Sequence, residues 1–167
     1  MPDGHVLTYG DCAVVIDPTE AQLVDIAVAT AASHRCLTGE DPRVALLSFS
    51  TKGSASHRKQ EKVANTLVAL RERCPNLLCD GELQGDAALI PSIQQRKAPN
   101  SPLQGPANVL IFPDIDAGNI SYKLTERLAG AVALGPLVQA KLFHGCNLGY
   151  NIYLPFISLP RASRDPS

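Results

Sequence analysis

Short apolar runs alternate with longer amphipathic stretches along this chain. The first apolar positions, residues 6–9 and again 12–16, are rich in strand-forming residues and stop before the Asp17-Pro18 pair, which disfavours helix. The run "RVALLSFS" (43–50) is too continuous for a strand with one face in water, so it predicts a parallel strand covered by helices on both faces. Two further runs, "NLLCD" (76–80) and "VLIF" (109–112), predict two more strands.

Helical periodicity fills the stretches between these runs. Thr19 is a good N-cap with Gln22 in capping-box position, and apolar residues then recur at helical spacing to about residue 33. A second apolar stripe predicts a helix over residues 59–73. The segment "GELQGDAALIPSIQQRK" (81–97) predicts two short helices broken near Pro91, and a last helix is expected over residues 120–128 with Asn119 as its cap.

The strict alternation of strand and helix predicts an α/β fold that is doubly wound around a mainly parallel sheet. With 167 residues, of which 45% are apolar and 19% charged, the chain has about the length of one domain and can bury a core. In such sheets the loops after the carboxyl ends of the strands converge on one edge, where ligands bind.

Three loops of this sequence fall at that predicted edge. They are "SFSTKGSASH" (48–57), "CDGELQGD" (79–86) and "PDIDAGN" (113–119). Their hydroxyls, carboxylates and amides suit a ligand site, and the first turn of a helix capped by Asn119 would offer free N–H groups to an anion. Taken one at a time, the three loops are explained better by ordinary structure: a solvated polar loop, a turn with acidic residues before a helix, and a turn with capped carboxylates.

Charge and motif content narrow the function classes. The 15 basic and 16 acidic residues nearly cancel, which argues against nucleic acid or an anionic membrane as a partner. Neither the five cysteines nor the four histidines have metal-site spacing, and we expect no metal. No GxSxG, HExxH or GxxxxGK[ST] motif occurs. With no signal-like N-terminus and no long apolar run, we expect a soluble, cytoplasmic protein.

The amino-acid sequences of several segments resemble those of the phosphate acetyltransferase (phosphotransacetylase) family. The matching pieces are "DCAVVIDPTEAQLVDIA", "VALLSFSTKGSASH", "DGELQGDAALIPSI", "KAPNSPLQGPANVLIFPDIDAGNISYKL" and "ERLAGAVALGPLVQ", which together span roughly residues 6–139. The resemblance implies the two-domain fold of the isocitrate and isopropylmalate dehydrogenases, with this chain covering mainly the second domain. We therefore expect residues 1–139 to form that α/β domain.

The resemblance also implies a reaction and a set of site residues. The family transfers an acetyl group reversibly between coenzyme A and inorganic phosphate, with coenzyme A as substrate and no further cofactor. It implies that Ser50, Thr51, Asn119, Tyr122, Lys123 and Arg127 approach the substrates. Arg127 is the residue expected to bind coenzyme A or phosphate, because a planar guanidinium matches phosphate oxygens with two hydrogen bonds. A solvent-facing helix arginine near Glu126 and Lys123 is the alternative for Arg127.

The sequence departs from the family pattern at both ends. A family region with further coenzyme A-binding arginines would precede Tyr9, and after "GPLVQ" the family motif "NDLSRG", which the resemblance assigns to catalysis, is replaced by other residues. Residues 140–167 are therefore expected to be a poorly ordered tail outside the family pattern. Ser163-Arg164-Asp165 contains serine, arginine and aspartate as the family's catalytic region does, but we do not expect these residues to replace it. We expect no catalytic residue in this chain and little activity of the chain alone.

Three functional interpretations stay open on the sequence. The first is a phosphate acetyltransferase acting on acetyl-CoA and phosphate. The second is a non-catalytic domain that docks on a partner or forms a homodimer. The third is a related acyltransferase such as a phosphate butyryltransferase, against which the wording "DGELQGDAA" moderately favours acetyl transfer.

Overall fold

Four adjacent parallel strands form one side of a six-stranded sheet in this computed structural model, which describes residues 6–10, 12–140 and 151–158. The sheet order is β3-β2-β4-β1-β6-β5. The elements in chain order are β1 (Val6–Gly10), α1 (Glu20–Thr38), β2 (Val44–Leu47), α2 (Arg58–Arg73), β3 (Cys79–Leu83), α3 (Gly85–Leu89), α4 (Pro91–Lys97), β4 (Val109–Ile111), α5 (Ile115–Leu128), β5 (Val132–Ala140) and β6 (Asn151–Ser158).

Strands β3, β2, β4 and β1 pair in parallel, whereas β6 runs antiparallel to both β1 and β5. The prediction of an α/β fold with a mainly parallel sheet is therefore confirmed. Strand β2 lies between β3 and β4 with all of its residues buried, as its continuous apolar run predicted. The connections through α1 and α2 carry the chain outward to β3, and the connection through α3 and α4 brings it back to β4.

Alternate residues of the central strands supply two separate cores. Val44 and Leu46 of β2 pack in one core with residues of α1 and α2. Ala45 and Leu47 point to the other face, where they pack with residues of α3 and with Phe112 after β4. Because side chains alternate across a strand, helices on both faces require the unbroken apolar run seen in the sequence.

The beginning of α1 matches its prediction. Thr19 caps the helix through a hydrogen bond from the Gln22 N–H to its Oγ1 (3.3 Å), and the Gln22 Oε1 accepts from the Thr19 N–H (2.8 Å). The helix continues one turn beyond the predicted end, to Thr38, and Gly39 ends it in the left-handed conformation with φ of 75°. Glycine adopts this conformation without the steric penalty of a side chain.

Two predicted strand boundaries are wrong. Residues 12–16 form bends and irregular backbone and no strand, and two of their carbonyl groups accept hydrogen bonds from α5. Asn119 Nδ2 donates to the Cys12 carbonyl oxygen (3.2 Å), and the Ile115 N–H donates to that of Ile16 (3.1 Å). The third strand begins at Cys79, three residues later than predicted, and it includes the Asp80-Gly81-Glu82 stretch that was expected to be a turn before a helix.

The tail beyond residue 139 is only partly described. Its residues 151–158 form β6, which pairs with both β1 and β5. The predicted division between residues 139 and 140 falls within β5. Ser163-Arg164-Asp165 lies outside the described residues. The division of the chain into a domain of residues 1–139 and a separate tail stays a prediction. Among the described helices, none is long and apolar enough to cross a membrane.

A buried histidine predicts how stability depends on pH. His34 is fully buried, its Nδ1 lies 2.8 Å from Thr8 Oγ1, and its Nε2 has no partner among the described residues. Burial lowers the pKa of His34; the charge of Glu40 opposes this effect and that of Arg43 adds to it. Below about pH 6.5 the unfolded chain therefore binds a proton at this ring more readily than the folded chain does.

We expect the free energy of unfolding to fall as the pH falls below about 6.5, and the fall to continue down to the lowered pKa of the folded protein. Urea unfolding of the native chain and of His34→Gln between pH 5 and pH 8 measures this, with the pH range chosen around the ordinary histidine value of about 6.5. The native curve should be steeper than that of the variant. Parallel curves would show that His34 is not the group responsible.

Candidate functional site

The loop after β2 closes on itself in a tight turn of residues 50–55, here called the serine turn. Ser50 Oγ accepts the N–H of Ala55 (3.1 Å), and the Thr51 N–H donates to Ser54 Oγ (3.0 Å). Lys52 and Gly53 both have left-handed φ values, of 50° and 77°. Since a lysine is rarely found in this region, contacts from outside the turn must hold it there.

Strand β3 supplies those contacts through Glu82. Its carboxylate Oε1 accepts from the Gly53 N–H (2.6 Å) and from Ser50 Oγ (3.1 Å), while its backbone carbonyl accepts from the Lys52 N–H (3.2 Å). Glu82 is only 4% exposed. One buried side chain therefore fixes both the beginning and the middle of the serine turn.

A second contact joins the side chain of Lys52 to β3. Its ammonium donates to Asp80 Oδ1 (2.5 Å) and to the Gly81 carbonyl oxygen (2.7 Å). Arg71 of α2 reaches the same Asp80 oxygen (3.1 Å). Asp80 is fully buried, and its Oδ2 has no partner among the described residues. Two partly exposed cations thus compensate one buried carboxylate, as a buried charge requires.

The residues after β3 complete the support of the turn. Thr51 Oγ1 accepts from the Gln84 N–H (2.9 Å) and lies 3.3 Å from Gln84 Oε1, to which it donates. Lys97 of α4 donates to the same Gln84 oxygen (3.0 Å) and to Asp86 (2.8 Å). The hydrogen bond from Lys97 lowers the pKa of Asp86. The loops after β2 and β3 therefore form one hydrogen-bonded unit.

The start of α5 differs from its prediction. The helix begins at Ile115, and its N-cap is Asp114, whose Oδ1 accepts the Ala117 N–H (3.0 Å). The prediction that Asn119 caps this helix is wrong, because Asp114 is the earlier acceptor and the helix has already made one turn at Asn119. With Asp114 and Asp116 at its first turn, the helix start carries negative charge and does not suit an anion.

Removing the Asp114 cap should weaken the fold. We expect Asp114→Ala to lower the free energy of unfolding by about 1 kcal/mol, because an N–H of the first helical turn loses its acceptor. Asp116→Ala is the matched control, since this exposed neighbour is not the cap and should cost at most a few tenths of a kcal/mol. Urea unfolding of both variants measures the difference. Equal losses would contradict the assignment of Asp114 as the cap.

Lys62 of α2 joins the loops that follow β1 and β4. Its Nζ donates to Asp17 Oδ1 (2.8 Å) and to the carbonyl oxygens of Pro18 (3.1 Å) and Pro113 (2.9 Å). The hydrogen bond and the charge of Lys62 lower the pKa of Asp17. The neighbouring Lys59 pairs with Asp114 at 3.3 Å. One face of α2 therefore fixes these two loops relative to each other.

The exposed surface of α5 carries a polar row beside an apolar row. Asn119, Lys123 and Arg127 follow each other at intervals of four residues and extend over about 12 Å of helix. Lys123 and Arg127 are exposed, whereas Asn119 is half-buried. The adjacent apolar row consists of Ile120, Leu124 and Leu128, which are 56%, 52% and 81% exposed. Spacing of four residues places the members of each row on one side of the helix.

Tyr122 lies on another side of α5. It is half-buried and packs against the second core, with the Lys123 ammonium 5.9 Å from the centre of its ring.

The six predicted site residues fall into two groups. Ser50 and Thr51 make their hydrogen bonds within the serine turn and to Ser48, Glu82 and Gln84. Asn119, Tyr122, Lys123 and Arg127 lie on α5. The hydroxyls of Ser50 and Thr51 are buried and engaged in the turn itself. A role of any of the six in binding substrate stays a prediction.

Sequence reasoning missed the residues that shape this site. Glu82 and Asp80 were grouped with a turn, although they lie in a buried strand, and Lys62 was not singled out. Regular strand alternation does not mark the first two, because the register of β3 against β2 shifts between the Ala45 and Leu47 pairs, and Cys79 and Leu83 pack in different cores. No local pattern marks Lys62, because its partners lie 44 to 51 positions away along the chain.

Comparison with known proteins identifies relatives that carry the same segments. Residues 1–142 match the phosphate acetyl/butaryl transferase family. The phosphate acetyltransferase of Thermoanaerobacterium thermosaccharolyticum is 52% identical over 137 residues, which cover 82% of this chain and 42% of that protein. The phosphate acetyltransferase of Paracoccus denitrificans is 50% identical over 133 residues, or 80% and 42% of the two chains. The chain thus spans less than half the length of these relatives.

Solved structures agree with this result. The EutD phosphotransacetylase from Staphylococcus aureus has a TM-score of 0.73 and 38% identity, covering 91% of this chain and 42% of that chain. A phosphotransacetylase from Streptococcus pyogenes has a TM-score of 0.74 and 34% identity, covering 95% and 48%. Both the sequence segments and the fold are shared. The chain therefore belongs to the phosphate acetyl/butaryl transferase family.

Proposed function

We propose that this chain contributes to the reversible transfer of an acetyl group between coenzyme A and inorganic phosphate, with acetyl phosphate as the second acetyl carrier. The observation that carries the proposal is the pair of rows on α5. Coenzyme A combines phosphate groups with a long, weakly polar arm, and α5 places Lys123 and Arg127 beside three exposed apolar residues. The names of the relatives, phosphate acetyltransferases at 50% and 52% identity, support the same reaction.

Each predicted site residue has a role in this proposal. Arg127 binds a phosphate group of coenzyme A or the inorganic phosphate through two parallel hydrogen bonds, and Lys123 adds a second positive charge. Asn119 and Tyr122 offer polar atoms further along the same helix. The serine turn, with Ser50 and Thr51, forms a rigid wall toward the substrates.

The chemistry explains what else the site requires. In one direction the coenzyme A sulfur attacks the acetyl carbonyl carbon, a C–S bond forms, the C–O bond to phosphate breaks, and phosphate leaves. A free thiol is only a few per cent thiolate at neutral pH, so a base must take its proton. Donors must also face the carbonyl oxygen as charge develops there. We propose none of the residues of this chain as that base.

A chimera tests the proposed function. The matching 137-residue segment of the T. thermosaccharolyticum relative would be replaced by the corresponding segment of this chain, and acetyl phosphate formation would be assayed. The chimera is expected to make acetyl phosphate from acetyl-CoA and inorganic phosphate with release of coenzyme A, whereas this chain alone is expected to show little turnover. A folded chimera without activity would contradict the proposal.

The acyl chain transferred is a finer part of the proposal. The relatives at 50% and 52% identity are phosphate acetyltransferases, which supports acetyl over butyryl transfer. Competition between acetyl phosphate and butyryl phosphate in the chimera assay distinguishes the two, and acetyl phosphate should react faster.

The near-neutral charge of the chain supports the further proposal that neither nucleic acid nor an anionic membrane is a partner. Action in the cytoplasm is a separate part of the proposal.

As an alternative to contact with coenzyme A, the exposed apolar row supports a homodimer. Ile120, Leu124 and Leu128 are each more than half exposed, and a helix with such a row can pack against its own copy in a two-fold contact. Sedimentation of the native chain and of Leu124→Glu tests this second candidate. A dimer that becomes a monomer in the variant is the expected result, and a native monomer would contradict it.

A further inference from the structure

We propose that Glu82 is a positioning residue for substrate binding: its buried carboxylate holds the serine turn in the shape that faces coenzyme A. The inference rests on the proposed function, because it assigns the turn to the coenzyme A-binding wall. It concerns a residue that does not itself touch substrate.

The contacts of Glu82 place it at the centre of the turn. Its Oε1 is 2.6 Å from the Gly53 nitrogen and 3.1 Å from Ser50 Oγ, and its own carbonyl oxygen accepts the Lys52 N–H. These three positions span the part of the turn in which Lys52 and Gly53 adopt left-handed φ values. A carboxylate bonded to backbone N–H groups forms strong, charge-assisted hydrogen bonds.

The turn uses its own amides internally and does not offer them to a ligand. The N–H groups of Thr51, Ser54 and Ala55 donate within the turn, to Ser54 Oγ, to the Thr51 carbonyl oxygen and to Ser50 Oγ. Those of Lys52 and Gly53 donate to Glu82. A row of amides of this kind would otherwise attract an anion. Glu82 therefore fixes the backbone conformation of the serine turn. The turn presents side chains, and not these amides, toward a ligand.

The outward-facing groups depend on this shape. Phe49 comes directly before the turn and is 54% exposed, and Ser54 and Ser56 are exposed at its far side. Phe49 also meets His57, the cap of α2, edge to face with ring centres 6.2 Å apart. If the turn relaxes, all of these groups move relative to β3. A displacement of about 1 Å in a positioning element can lower activity as much as a hundredfold.

Two substitutions by side chains of similar length separate the effect of the hydrogen-bond acceptor from the effect of packing. Glu82→Gln keeps an oxygen that can accept from Gly53 and Ser50, whereas Glu82→Met fills similar space without a comparable acceptor. Val63→Ala is the matched control, because it weakens the buried core on α2 without touching the turn. For each protein, amide hydrogen exchange at Gly53 and Ala55 reports the order of the turn, and calorimetric titration with coenzyme A reports the Kd.

We expect Glu82→Met to speed exchange at both amides and to weaken coenzyme A binding about tenfold or more, with Glu82→Gln within about threefold of the native Kd. Val63→Ala should leave the Kd nearly unchanged. If Glu82→Met does not fold, Glu82→Asp replaces it, because a side chain one methylene shorter cannot reach Gly53 and should weaken binding in the same way.

Three outcomes would overturn the inference. If the native chain binds coenzyme A and the acceptor-free variant binds equally well, the positioning role is wrong while the proposed function stands. If Val63→Ala weakens binding as much as Glu82→Met, the effect is one of general stability and the positioning role is again wrong. If the native chain binds no coenzyme A, the assignment of the turn to a coenzyme A-binding wall fails, and the inference fails with it.

Discussion

Replacing Gly81 with alanine is expected to lower the free energy of unfolding by about 3 kcal/mol. A Cβ at this position would lie 2.8 Å from the Leu46 Cβ and 3.2 Å from the Leu46 carbonyl oxygen. Neither atom is the end of a flexible side chain, and β2 is hydrogen-bonded to a strand on each side. The two strands must therefore separate, which also disturbs Glu82, the next residue of β3.

Gly85→Ala is the matched control for this prediction. Gly85 is the first residue of α3, and a Cβ there would meet no atom within 4 Å. The alanine should therefore leave the stability unchanged or raise it slightly, because it restricts the unfolded chain. Urea unfolding of both variants measures the two effects. A loss of less than about 1 kcal/mol for Gly81→Ala would contradict the close approach of β2 to Gly81.

Replacing Lys62 with methionine is expected to cost about 2 kcal/mol of unfolding free energy. The methionine keeps the aliphatic length of the side chain but cannot donate to the carbonyl oxygens of Pro18 and Pro113. Both loops then lose the charged donor that joins them, and hydrogen bonds from charged groups are among the stronger ones in proteins. The effect should concentrate at the edge where the loops after β1 and β4 meet.

Lys59→Met provides the comparison for Lys62. Lys59 lies almost one turn earlier on α2, is exposed, and makes one ion pair with Asp114 at 3.3 Å. Exposed pairs of this kind contribute little, so the variant should lose about 0.5 kcal/mol or less. Chemical denaturation gives both values, and amide exchange of residues 114–117 should speed up more in Lys62→Met. Similar losses from the two lysines would refute the bridging role of Lys62.

Local sequence patterns predicted most of the fold, because its strands and helices obey local rules. The run of β2 predicted a strand buried on both faces, and the Thr19-Gln22 pair predicted the start of α1. The start of α5 was predicted wrongly because Asp114 and Asn119 are both residue types that cap helices well. Which of the two is the N-cap depends on how soon after β4 the helix begins. Sequence spacing alone does not decide that choice.

The candidate site was less predictable, because its geometry comes from contacts between distant segments. Ser50 and Glu82 are 32 positions apart, and Lys62 and Pro113 are 51 positions apart. The resemblance to a family pointed to Ser50 and Thr51, but it did not show that their hydroxyls are buried within the turn. The residues that hold the turn were recognised only from the three-dimensional contacts of β3.

The central claim, that α5 is part of a coenzyme A-binding wall, is tested most directly by calorimetric titration of coenzyme A into the native chain and into Arg127→Ala. Arg96→Ala is the control, since Arg96 is also an exposed arginine in the last turn of a helix. We predict that the native chain and Arg96→Ala bind coenzyme A alike and that Arg127→Ala binds about tenfold more weakly. No binding by the native chain, or equal binding by all three proteins, would contradict the account.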